Sequence, residues 1–367
     1  MKSTMRARIT RHRWLVALSA TALLLAACGG SEDIDEPAEP TEEEPAAEDD
    51  DADDAADDTA APEDLGTVTV ALSVPDSLPF LPAQLGPEQG KFEACDVEVD
   101  IILGESSTVG RSLAAGEADL ALQAAPRAVG EIMQGIPGKI VAGQKNPWSQ
   151  VLVVSSDLAE QGITTPEDFA ALEGGGYGFG ISSFGSAGHL SVLRLAEFLD
   201  WEEGPDFEII PLGGVAEITA GLEAGAIDAF TWSRGVAYRM EAENVGLVIE
   251  GIVPEAVGPT IFEAFVASDT FIEERPEALV AYFDCYFDYV NELKADPDEV
   301  RRLALEEWDA NPQTLDQTMD LIIEEWNPDG TATAAELEGL ADGAVFQNDE
   351  IDDAPLGDWW LLWEDLR

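Results

Sequence analysis

A short run of serine and glycine residues at positions 183–188 has the residue types that bind an anion or a polar oxygen. The run begins Ser183, Phe184, Gly185, Ser186, and the apolar pattern after it predicts a helix. A helix that starts here would aim backbone N–H groups and serine hydroxyls at a ligand. Simple N-capping by Ser183 or Ser186 is the alternative, because serine is a preferred N-cap residue.

Aromatic and basic residues near the ends of predicted strands are the next candidates. Each aromatic ring could stack on a ligand or belong to the core, and Trp232 is favoured because it directly follows a strand end. Arg127 and Arg234 are candidate counter-charges for an acidic ligand, although pairing with a surface acid is the commoner fate of an arginine. The aromatic candidates are Phe80, Trp148, Phe184 and Trp232.

Residue types for metal binding and nucleophilic catalysis are sparse. The chain has 3 cysteines and 2 histidines, which leaves little for a structural zinc site or an iron–sulfur cluster. Neither a P-loop nor a G-x-G-x-x-G sequence occurs, so nucleotide chemistry has no support. His189 has no serine or cysteine partner in a recognisable arrangement and is interpreted as a helix residue. We therefore expect no metal, no cofactor and no enzymatic activity.

Alternating strand and helix patterns must position these candidates. Residues 67–73, 97–103 and 119–123 predict strands, because they are apolar and β-branched. Helical patterns lie between them, and this β-α-β-α-β order favours a parallel sheet with helices on its faces. The sequence therefore predicts an α/β fold.

The pattern of strand, glycine loop and helix occurs twice, with an offset of 109 residues. Gly104 corresponds to Gly213, and Asp119 corresponds to Asp228. In each copy a glycine follows the helix, where it supplies the left-handed residue that closes it. Two copies in one register predict two lobes of similar build, each a mostly parallel sheet flanked by helices.

We place lobe 1 at residues 65–152 and 266–367, and lobe 2 at residues 153–265. Two crossings, near 151–154 and 262–266, would form a two-stranded hinge. In open α/β sheets a ligand binds outside the carboxyl ends of the strands. That rule adds the polar and glycine residues after the other predicted strands to the ligand-binding candidates: Ser77, Ser106, Ser107, Gln123, Gly213 and Gly214.

The N-terminus has the pattern of an export signal. Residues 1–13 hold five basic residues, and residues 14–27 are apolar apart from one serine and one threonine. This apolar run is shorter than the ~20 residues of a membrane-spanning helix. It ends in Leu-Ala-Ala-Cys28, which resembles the lipobox of bacterial lipoproteins. The resemblance implies that Cys28 carries a lipid and tethers the protein outside the cytoplasm to the cell membrane. An ordinary secretory signal with a chance cysteine is the alternative.

Acidic residues dominate the rest of the chain. Residues 31–64 contain 18 acids and no base, and we interpret residues 28–64 as a disordered linker, because such a segment cannot bury enough apolar area to fold. Metal sequestration by this acidic run is the alternative.

Residues 65–367 contain 57 acidic and 13 basic residues, and the whole chain has a net charge of −57. This charge excludes nucleic acid as a main partner.

Cys95 and Cys285 lie in neither a C-x-x-C motif nor a nucleophile context. In an exported protein two remaining cysteines can pair, and both would belong to lobe 1. Because the sequence gives no distance between them, the bridged and the free forms both stay open.

Residues 65–367 resemble the solute-binding proteins of ABC importers, and more narrowly the nitrate, sulfonate, taurine and pyrimidine-precursor group. The similar stretches are TVTVAL at 67–72, LAAGEADLAL at 113–122, DFAALEGGGYGFG at 168–180, FEIIPLGG at 207–214 and LEAGAIDAF at 222–230. The resemblance implies a periplasmic-binding-protein type II fold. It also implies that a small organic or anionic solute binds between the lobes and is delivered to ABC permease subunits. We expect a monomer.

Two other functional classes stay open at this point. One is a ligand-sensing lipoprotein on the same fold without a cognate transporter. The other is an enzyme such as a pyrimidine-synthesising relative, but those resemble an architecture with a cysteine-rich active-site segment that this sequence lacks. The predicted first loop has no basic residue, so the charge of the ligand also stays open.

We predict that the stability of the protein rises with salt. The excess of acidic residues is spread over the chain, as in proteins of salt-rich environments, and salt screens its self-repulsion. The Debye length falls from ~30 Å at 0.01 M to ~3 Å at 1 M ionic strength. Thermal unfolding from low to molar sodium chloride measures the effect, and a constant melting temperature would contradict the prediction.

Overall fold

Two five-stranded sheets organise the part of the chain described by the structure, which is a computed structural model. The described residues are 65–74, 76–104, 108–308 and 310–367. Their strands are β1 (Thr67–Leu72), β2 (Glu98–Leu103), β3 (Leu120–Ala124), β4 (Gly138–Lys145), β5 (Gln150–Ser155), β6 (Tyr177–Ile181), β7 (Phe207–Pro211), β8 (Ala229–Ser233), β9 (Gly246–Ile249) and β10 (Glu263–Ser268).

The two sheets have the same topology. The first has the strand order β2-β1-β3-β10-β4, and the second has the order β7-β6-β8-β5-β9. In each sheet the first three strands are parallel, and the fourth is antiparallel to both of its neighbours. Four of the five strands therefore run in one direction. This arrangement confirms the predicted α/β fold of two similar lobes.

The internal repeat extends to individual hydrogen bonds. Asp119 Oδ2 accepts a hydrogen bond from the N–H of Thr69 at 2.9 Å, and Asp228 Oδ2 accepts one from the N–H of Gly178 at 2.8 Å. Each carboxylate thus joins the start of the third strand in its sheet order to the second strand of the same sheet. Hydrogen bonds to a charged group stabilise a fold by ~1.5–3 kcal/mol each.

The chain crosses between the lobes outside the strands, at residues 146–149 and 258–262. Strand β5 lies wholly in the second sheet, and β10 lies wholly in the first. The crossings predicted at 151–154 and 262–266 fall instead in or beside these two strands. Lobe 1 then comprises the described residues of 65–145 and 263–367, and lobe 2 comprises residues 150–257.

Helices pack on both faces of each sheet, and several begin at side-chain caps. Thr165 Oγ1 accepts from the N–H of Asp168 at 3.1 Å, and the Asp168 carboxylate accepts from the N–H of Thr165 at 3.0 Å. This reciprocal capping box starts the helix that follows.

In the described part of the chain, no helix is long and apolar enough to span a membrane. The α-helices are α1 (Leu81–Leu85), α2 (Val109–Ala114), α3 (Ala125–Met133), α4 (Ser156–Glu160), α5 (Pro166–Ala170), α6 (Ala187–Leu199), α7 (Val215–Glu223), α8 (Arg234–Ala242), α9 (Ile252–Val257), α10 (Asp269–Glu274), α11 (Pro276–Ala295), α12 (Pro297–Glu307), α13 (Pro312–Glu325), α14 (Ala334–Phe346) and α15 (Leu356–Trp359).

The largest core cluster forms where α11 packs on the first sheet. The ring of Phe265 in β10 lies 5.2 Å from the ring of Phe283 and 4.9 Å from that of Tyr286. Both contacts are edge-to-face, which is a favoured geometry for aromatic pairs. The opposite face of the same sheet carries a second cluster that includes Ala71 and Val266. Both faces of the sheet are therefore buried.

A disulfide joins Cys95 and Cys285. Cys95 ends a 3-10 helix (Glu93–Cys95) before β2, and Cys285 lies on the buried face of α11. The crosslink spans 190 residues of sequence, so it ties the start of lobe 1 to the part of lobe 1 that returns after lobe 2.

Reduction of this disulfide is expected to lower the free energy of unfolding by roughly 2–4 kcal/mol, because the crosslink restricts the unfolded chain. Chemical denaturation with and without reductant measures the loss. A thiol titration of the unfolded chain should gain two groups upon reduction, whatever the state of Cys28. An equal thiol count before and after reduction would contradict the pairing.

Candidate functional site

A cavity of about 80 Å³ lies between the two lobes. Lobe 1 contributes the turn after β1 and the start of β10, and lobe 2 contributes the turn after β6, the start of α6 and the end of β8. The strands β1 and β6 both point their carboxyl ends at this cavity. This is the edge of an open α/β sheet at which a ligand is expected.

The N-terminus of α6 supplies hydrogen-bond donors to the cavity. Ser186 caps this helix, and its Oγ accepts from the N–H of His189 at 3.2 Å. Gly185 has a φ of +76°, a conformation that favours glycine, and donates its N–H to His189 Nδ1 at 3.1 Å. Among the described residues, the N–H groups of Ala187 and Gly188 have no hydrogen-bond acceptor, and both residues line the cavity. Two donors of the helix terminus are therefore available to a ligand.

Gln150, the first residue of β5, is held in one orientation by a chain of hydrogen bonds. Trp148 Nε1 donates to Ser191 Oγ at 2.9 Å, so the Ser191 hydroxyl donates to Gln150 Oε1 at 2.8 Å. Thr231 Oγ1 donates to the same oxygen at 2.9 Å. Because Oε1 already has two donors, the NH₂ group is the part of this cavity-lining side chain left for a ligand.

Arg127 and Ser183 meet across the cleft. Arg127, on α3 of lobe 1, donates from Nη2 to Ser183 Oγ of lobe 2 at 2.8 Å. Its guanidinium also lies 3.8 Å from Glu131, and burial raises the pKa of that carboxyl. Arg127 lines the cavity, and its buried Nε has no hydrogen-bond partner among the described residues.

Arg234, a predicted ligand residue, is instead bound by carboxylates of both lobes. Its Nε and Nη2 donate to Glu250 of lobe 2 at 3.0–3.2 Å, and its Nη1 contacts Glu325 of α13 in lobe 1. Lys145 Nζ lies 2.8 Å from the same Glu325 carboxylate. We call Glu250, Arg234, Glu325 and Lys145 the interlobe charge chain. In the described structure, Arg234 is not among the residues that line the cavity.

Glu263, the first residue of β10, is a buried acid in the cavity wall. It is 9% exposed, and its Oε2 has no hydrogen-bond partner among the described residues. Burial raises the pKa of Glu263 to about 7. The positive charge of Lys145 opposes this rise, and the negative charge of Glu325 adds to it. This carboxyl therefore changes charge near neutral pH.

The four predicted aromatic residues have different environments. Trp232 and Phe80 line the cavity, although Phe80 also belongs to the core of lobe 1. Trp148 is 1% exposed and lies edge-on to Phe262, with ring centroids 4.7 Å apart. Phe184 is 61% exposed and borders a separate cavity of about 300 Å³ beside Arg127.

The other predicted residues divide into three groups. Ser77 and Ser186 line the cavity between the lobes. Gln123, Gly213 and Gly214 do not line it within the described structure; Gln123 donates to Glu131 at 3.0 Å, and the N–H of Gly213 donates to the carbonyl of Ser182. Ser106, Ser107 and Cys28 lie outside the described residues.

A larger cavity of about 460 Å³ adjoins the first one. The two share Ser77, Pro79 and Ser233 in their walls. The larger cavity continues between α13 of lobe 1 and α8 of lobe 2, where Ile322 and Val236 face it. The cleft therefore combines a small polar end with a longer and more apolar one.

Sequence reasoning overlooked Gln150 and Glu263 as site residues. Each occupies the first position of an apolar strand, and each faces the cavity. A single polar residue at the start of an otherwise apolar run was the available signal, since buried polar groups require partners.

The fold and the polar cleft define a two-lobed binding protein. The sequence profile described as "NMT1/THI5 like" matches residues 76–345, and the chain belongs to this family. The predicted resemblance is thereby confirmed. A direct search of curated proteins finds no match to this sequence.

Solved structures support the fold. The ligand-binding component of an ABC-type import system from Staphylococcus aureus, with zinc bound, superposes with a TM-score of 0.66 at 12% identity, covering 82% of this chain and 99% of that chain. The alkanesulfonate-binding protein SsuA from Xanthomonas axonopodis pv. citri, bound to MOPS, superposes with a TM-score of 0.64 at 14% identity. The match covers 80% of this chain and 98% of that chain. A Candida albicans protein described as having the generic periplasmic binding protein structural fold superposes with a TM-score of 0.64 at 13% identity. The match covers 80% of this chain and 96% of that chain. This chain thus has the expected periplasmic-binding-protein fold.

Glu263→Gln is expected to remove a pH-dependent loss of stability. The pKa of Glu263 is about 7 in the folded protein, against an ordinary value of 4.5. The folded state therefore binds the proton more tightly, and ionisation costs stability as the pH rises from 4.5 to 7. Relative to the wild type, the variant should gain up to about 3 kcal/mol between pH 4.5 and pH 8.

Chemical denaturation at a series of pH values measures this gain. Glu255→Gln, at an exposed position of α9, is the control and should follow the wild type. A difference between Glu263→Gln and the wild type that stays constant over the pH range would contradict the prediction.

Proposed function

We propose that this protein is the extracytoplasmic solute-binding component of an ABC importer. The observation that carries the proposal is the polar cavity between the lobes, whose donors are already oriented by the protein. The N–H groups of Ala187 and Gly188 and the NH₂ group of Gln150 all belong to lobe 2. Because preorganised donors need little rearrangement, they favour binding of an oxygen-rich head group.

The solute class follows from these donors and from the adjoining cavity. A sulfonate, a nitrate or the carbonyl-like head of a pyrimidine precursor has oxygens that suit the donors of α6 and Gln150. The body of an organic solute would contact Trp232 and extend towards the larger cavity, since solute sites combine apolar walls with a few placed polar groups. The alkanesulfonate-binding structure from Xanthomonas supports this choice through its shared fold.

We infer that binding is coupled to the distance between the lobes. The lobes are connected through residues 146–149 and 258–262, and the interlobe charge chain and the Arg127–Ser183 hydrogen bond join them across the cleft. A solute that contacts both lobes binds the closed arrangement better than an open one, and only such a difference shifts the equilibrium. Permease subunits could then distinguish the loaded protein from the empty one.

The N-terminal segments complete the proposal. A lipid on Cys28 would hold the protein at the outer face of the cell membrane, and the acidic linker 28–64 would separate the monomeric binding unit from the anchor. Binding rather than catalysis is supported by the chemistry of the described residues. Cys95 and Cys285 are joined to each other, and His189 Nδ1 accepts a hydrogen bond from its own loop.

A panel of sulfonates, nitrate, pyrimidines and related acids should yield a solute that alters tryptophan fluorescence and reduces the scattering radius. Ser186→Ala and Trp232→Ala each shorten a side chain that lines the cavity, and Ser183→Ala removes the hydrogen bond that holds Arg127 of the cavity wall. Each variant should weaken binding at least about fivefold.

Ser155→Ala is the matched control. Ser155 caps α4 of lobe 2 as Ser186 caps α6, and its Oγ accepts from the N–H of Leu158 at 3.3 Å, but it does not line the described cavity. This variant should share any loss of stability while keeping the affinity. A solute bound equally well by all variants, or bound without a change in scattering radius, would place the site elsewhere.

A further inference from the structure

Glu263 and Gln150 are equivalent residues of the two repeated lobes. Gln150 begins β5 and pairs with Ser233 at the end of β8. Glu263 begins β10 and pairs with Ala124 at the end of β3. Strands β5 and β10 occupy the same place in the two sheet orders, and both side chains line the cavity between the lobes. The repeat therefore presents one side chain of the same shape from each lobe to a bound solute.

The carboxyl of Glu263 is buried without a hydrogen-bond partner at Oε2 in the described part of the chain. The residue is more than nine-tenths buried. Burial of an isolated carboxylate costs far more than burial of the neutral acid, so the cavity wall favours the protonated form. A protonated carboxyl carries an O–H group, which is a hydrogen-bond donor that requires an acceptor. A solute could supply that acceptor.

The charged groups that pack around Glu263 are bound to one another. Lys145 of the neighbouring strand β4 binds Glu325 of α13 at 2.8 Å, and Arg234 of α8 binds the same carboxylate. On α11, Tyr286 stays neutral at physiological pH because burial raises its pKa. Burial raises the pKa of Glu263 to about 7, while Lys145 opposes the rise and Glu325 adds to it.

Arg127 of α3 places a positive charge in the wall of the same cavity. Its Nη2 donates to Ser183 Oγ, and its guanidinium lies 3.8 Å from Glu131, whose pKa is also raised by burial. A guanidinium stays charged at every pH of interest, so Arg127 attracts an anionic head equally at pH 6 and at pH 8. In the described structure, none of the lobe 2 residues that line the cavity titrates near neutral pH.

We propose that Glu263 binds the solute as a neutral acid and donates a hydrogen bond to it, so that solute binding is coupled to the uptake of a proton. This inference rests on the proposed function and specifies how its site responds to pH. The proton comes from the solvent and binds a carboxylate oxygen of Glu263, and no bond of the solute changes.

A protonated Glu263 makes the two lobes equivalent in hydrogen bonding. Gln150 already offers its NH₂ group from lobe 2, together with the N–H groups of Ala187 and Gly188. With Glu263 protonated, lobe 1 adds a donor at the repeated position. Such a cavity suits a head group whose polar atoms are all acceptors. The ionised carboxylate could only accept hydrogen bonds and would repel an anionic head.

Affinity should therefore fall by about tenfold as the pH rises from 6 to 8, because the protonated fraction of Glu263 falls as the pH passes its pKa of about 7. The same linkage predicts that the protein takes up roughly half a proton or more per solute near pH 7.3. His189 does not add to this dependence over most of the range, since burial lowers its pKa from 6.5.

Isothermal titration calorimetry on the full chain at constant ionic strength tests both predictions. The probes are ethanesulfonate, butanesulfonate and nitrate, whose own charge stays constant over this range. Bis-tris and Tris serve as buffers because they carry no sulfonate or phosphate that could compete for the site. Their different ionisation enthalpies allow the proton uptake to be counted from the observed heats.

Two substitutions of Glu263 separate its donor from its charge. Glu263→Gln keeps the shape and a donor but cannot ionise, so it should bind at pH 8 about tenfold more tightly than the wild type, without pH dependence or proton uptake. Glu263→Leu has neither donor nor charge and should bind at least about threefold more weakly than Glu263→Gln at every pH. A purely structural role would leave these two variants with equal affinity.

Glu255→Gln, at an exposed position of α9, is the control and should bind as the wild type does. Loss of the pH dependence in Glu263→Gln assigns it to Glu263 rather than to Glu131, which that variant retains. Circular dichroism and thermal unfolding verify that each variant is folded.

The outcomes distinguish this inference from the proposed function. The inference is overturned, and solute binding stands, if the affinity of a bound probe is constant or rises from pH 6 to pH 8, or if Glu263→Gln keeps the pH dependence. It is also overturned if Glu263→Leu binds as tightly as Glu263→Gln, or if members of the wider acid and pyrimidine panel bind but none of the three probes does. If no solute of either set binds, the proposed function is overturned, and the inference fails with it.

Discussion

A largely buried ion pair joins the two lobes beside the cleft: Arg234 of lobe 2 binds Glu325 of lobe 1. Glu250 and Lys145 extend this pair into a chain that crosses the cleft next to the cavity. A buried charge is tolerated only when its partners replace the water it has lost, so removal of one member leaves the others unpaired. The chain therefore fixes the position of α13 against α8, and these two helices line the larger cavity. It also explains why Arg234 is unavailable to a solute, while Arg127 still faces the cavity.

The repeated lobes bring different chemistry to one site. The hydrogen bonds of Asp119 and Asp228 show that the two lobes share their local construction, down to equivalent backbone partners. The same symmetry places Gln150 opposite Glu263, but only Gln150 is held by neighbouring hydroxyls. The donors of lobe 2 thus face a lobe 1 wall that carries both Glu263 and Arg127. The cleft is consequently asymmetric in its polar groups, although it is built from two copies of one fold.

Local sequence signals predicted the elements well, and long-range pairing accounts for what they missed. The capping box of Thr165 and Asp168 spans only three residues, so it is visible in the sequence and present in the structure. By contrast, Arg234 and Glu325 are 91 residues apart, and Arg127 and Ser183 are 56 apart. No local pattern links such residues, so the ion pair of Arg234 with Glu325 could not be predicted from the residues next to Arg234 in sequence. The crossings predicted at 151–154 and 262–266 overlap β5 and β10, although each of these strands lies within one sheet. Asn146-Pro147 and Gly258-Pro259 before the two strands were the local signals of a break.

NMR of the full chain labelled with ¹⁵N, titrated with the tightest-binding solute, tests the central claim most directly. The claim is that a solute binds between the lobes against donors that the protein has already oriented. The account predicts that the backbone amides of Ala187 and Gly188 and the side-chain NH₂ of Gln150 show the largest shifts, together with the indole of Trp232. Saturable binding that leaves these signals unchanged, with shifts confined to other parts of the chain, would contradict the account.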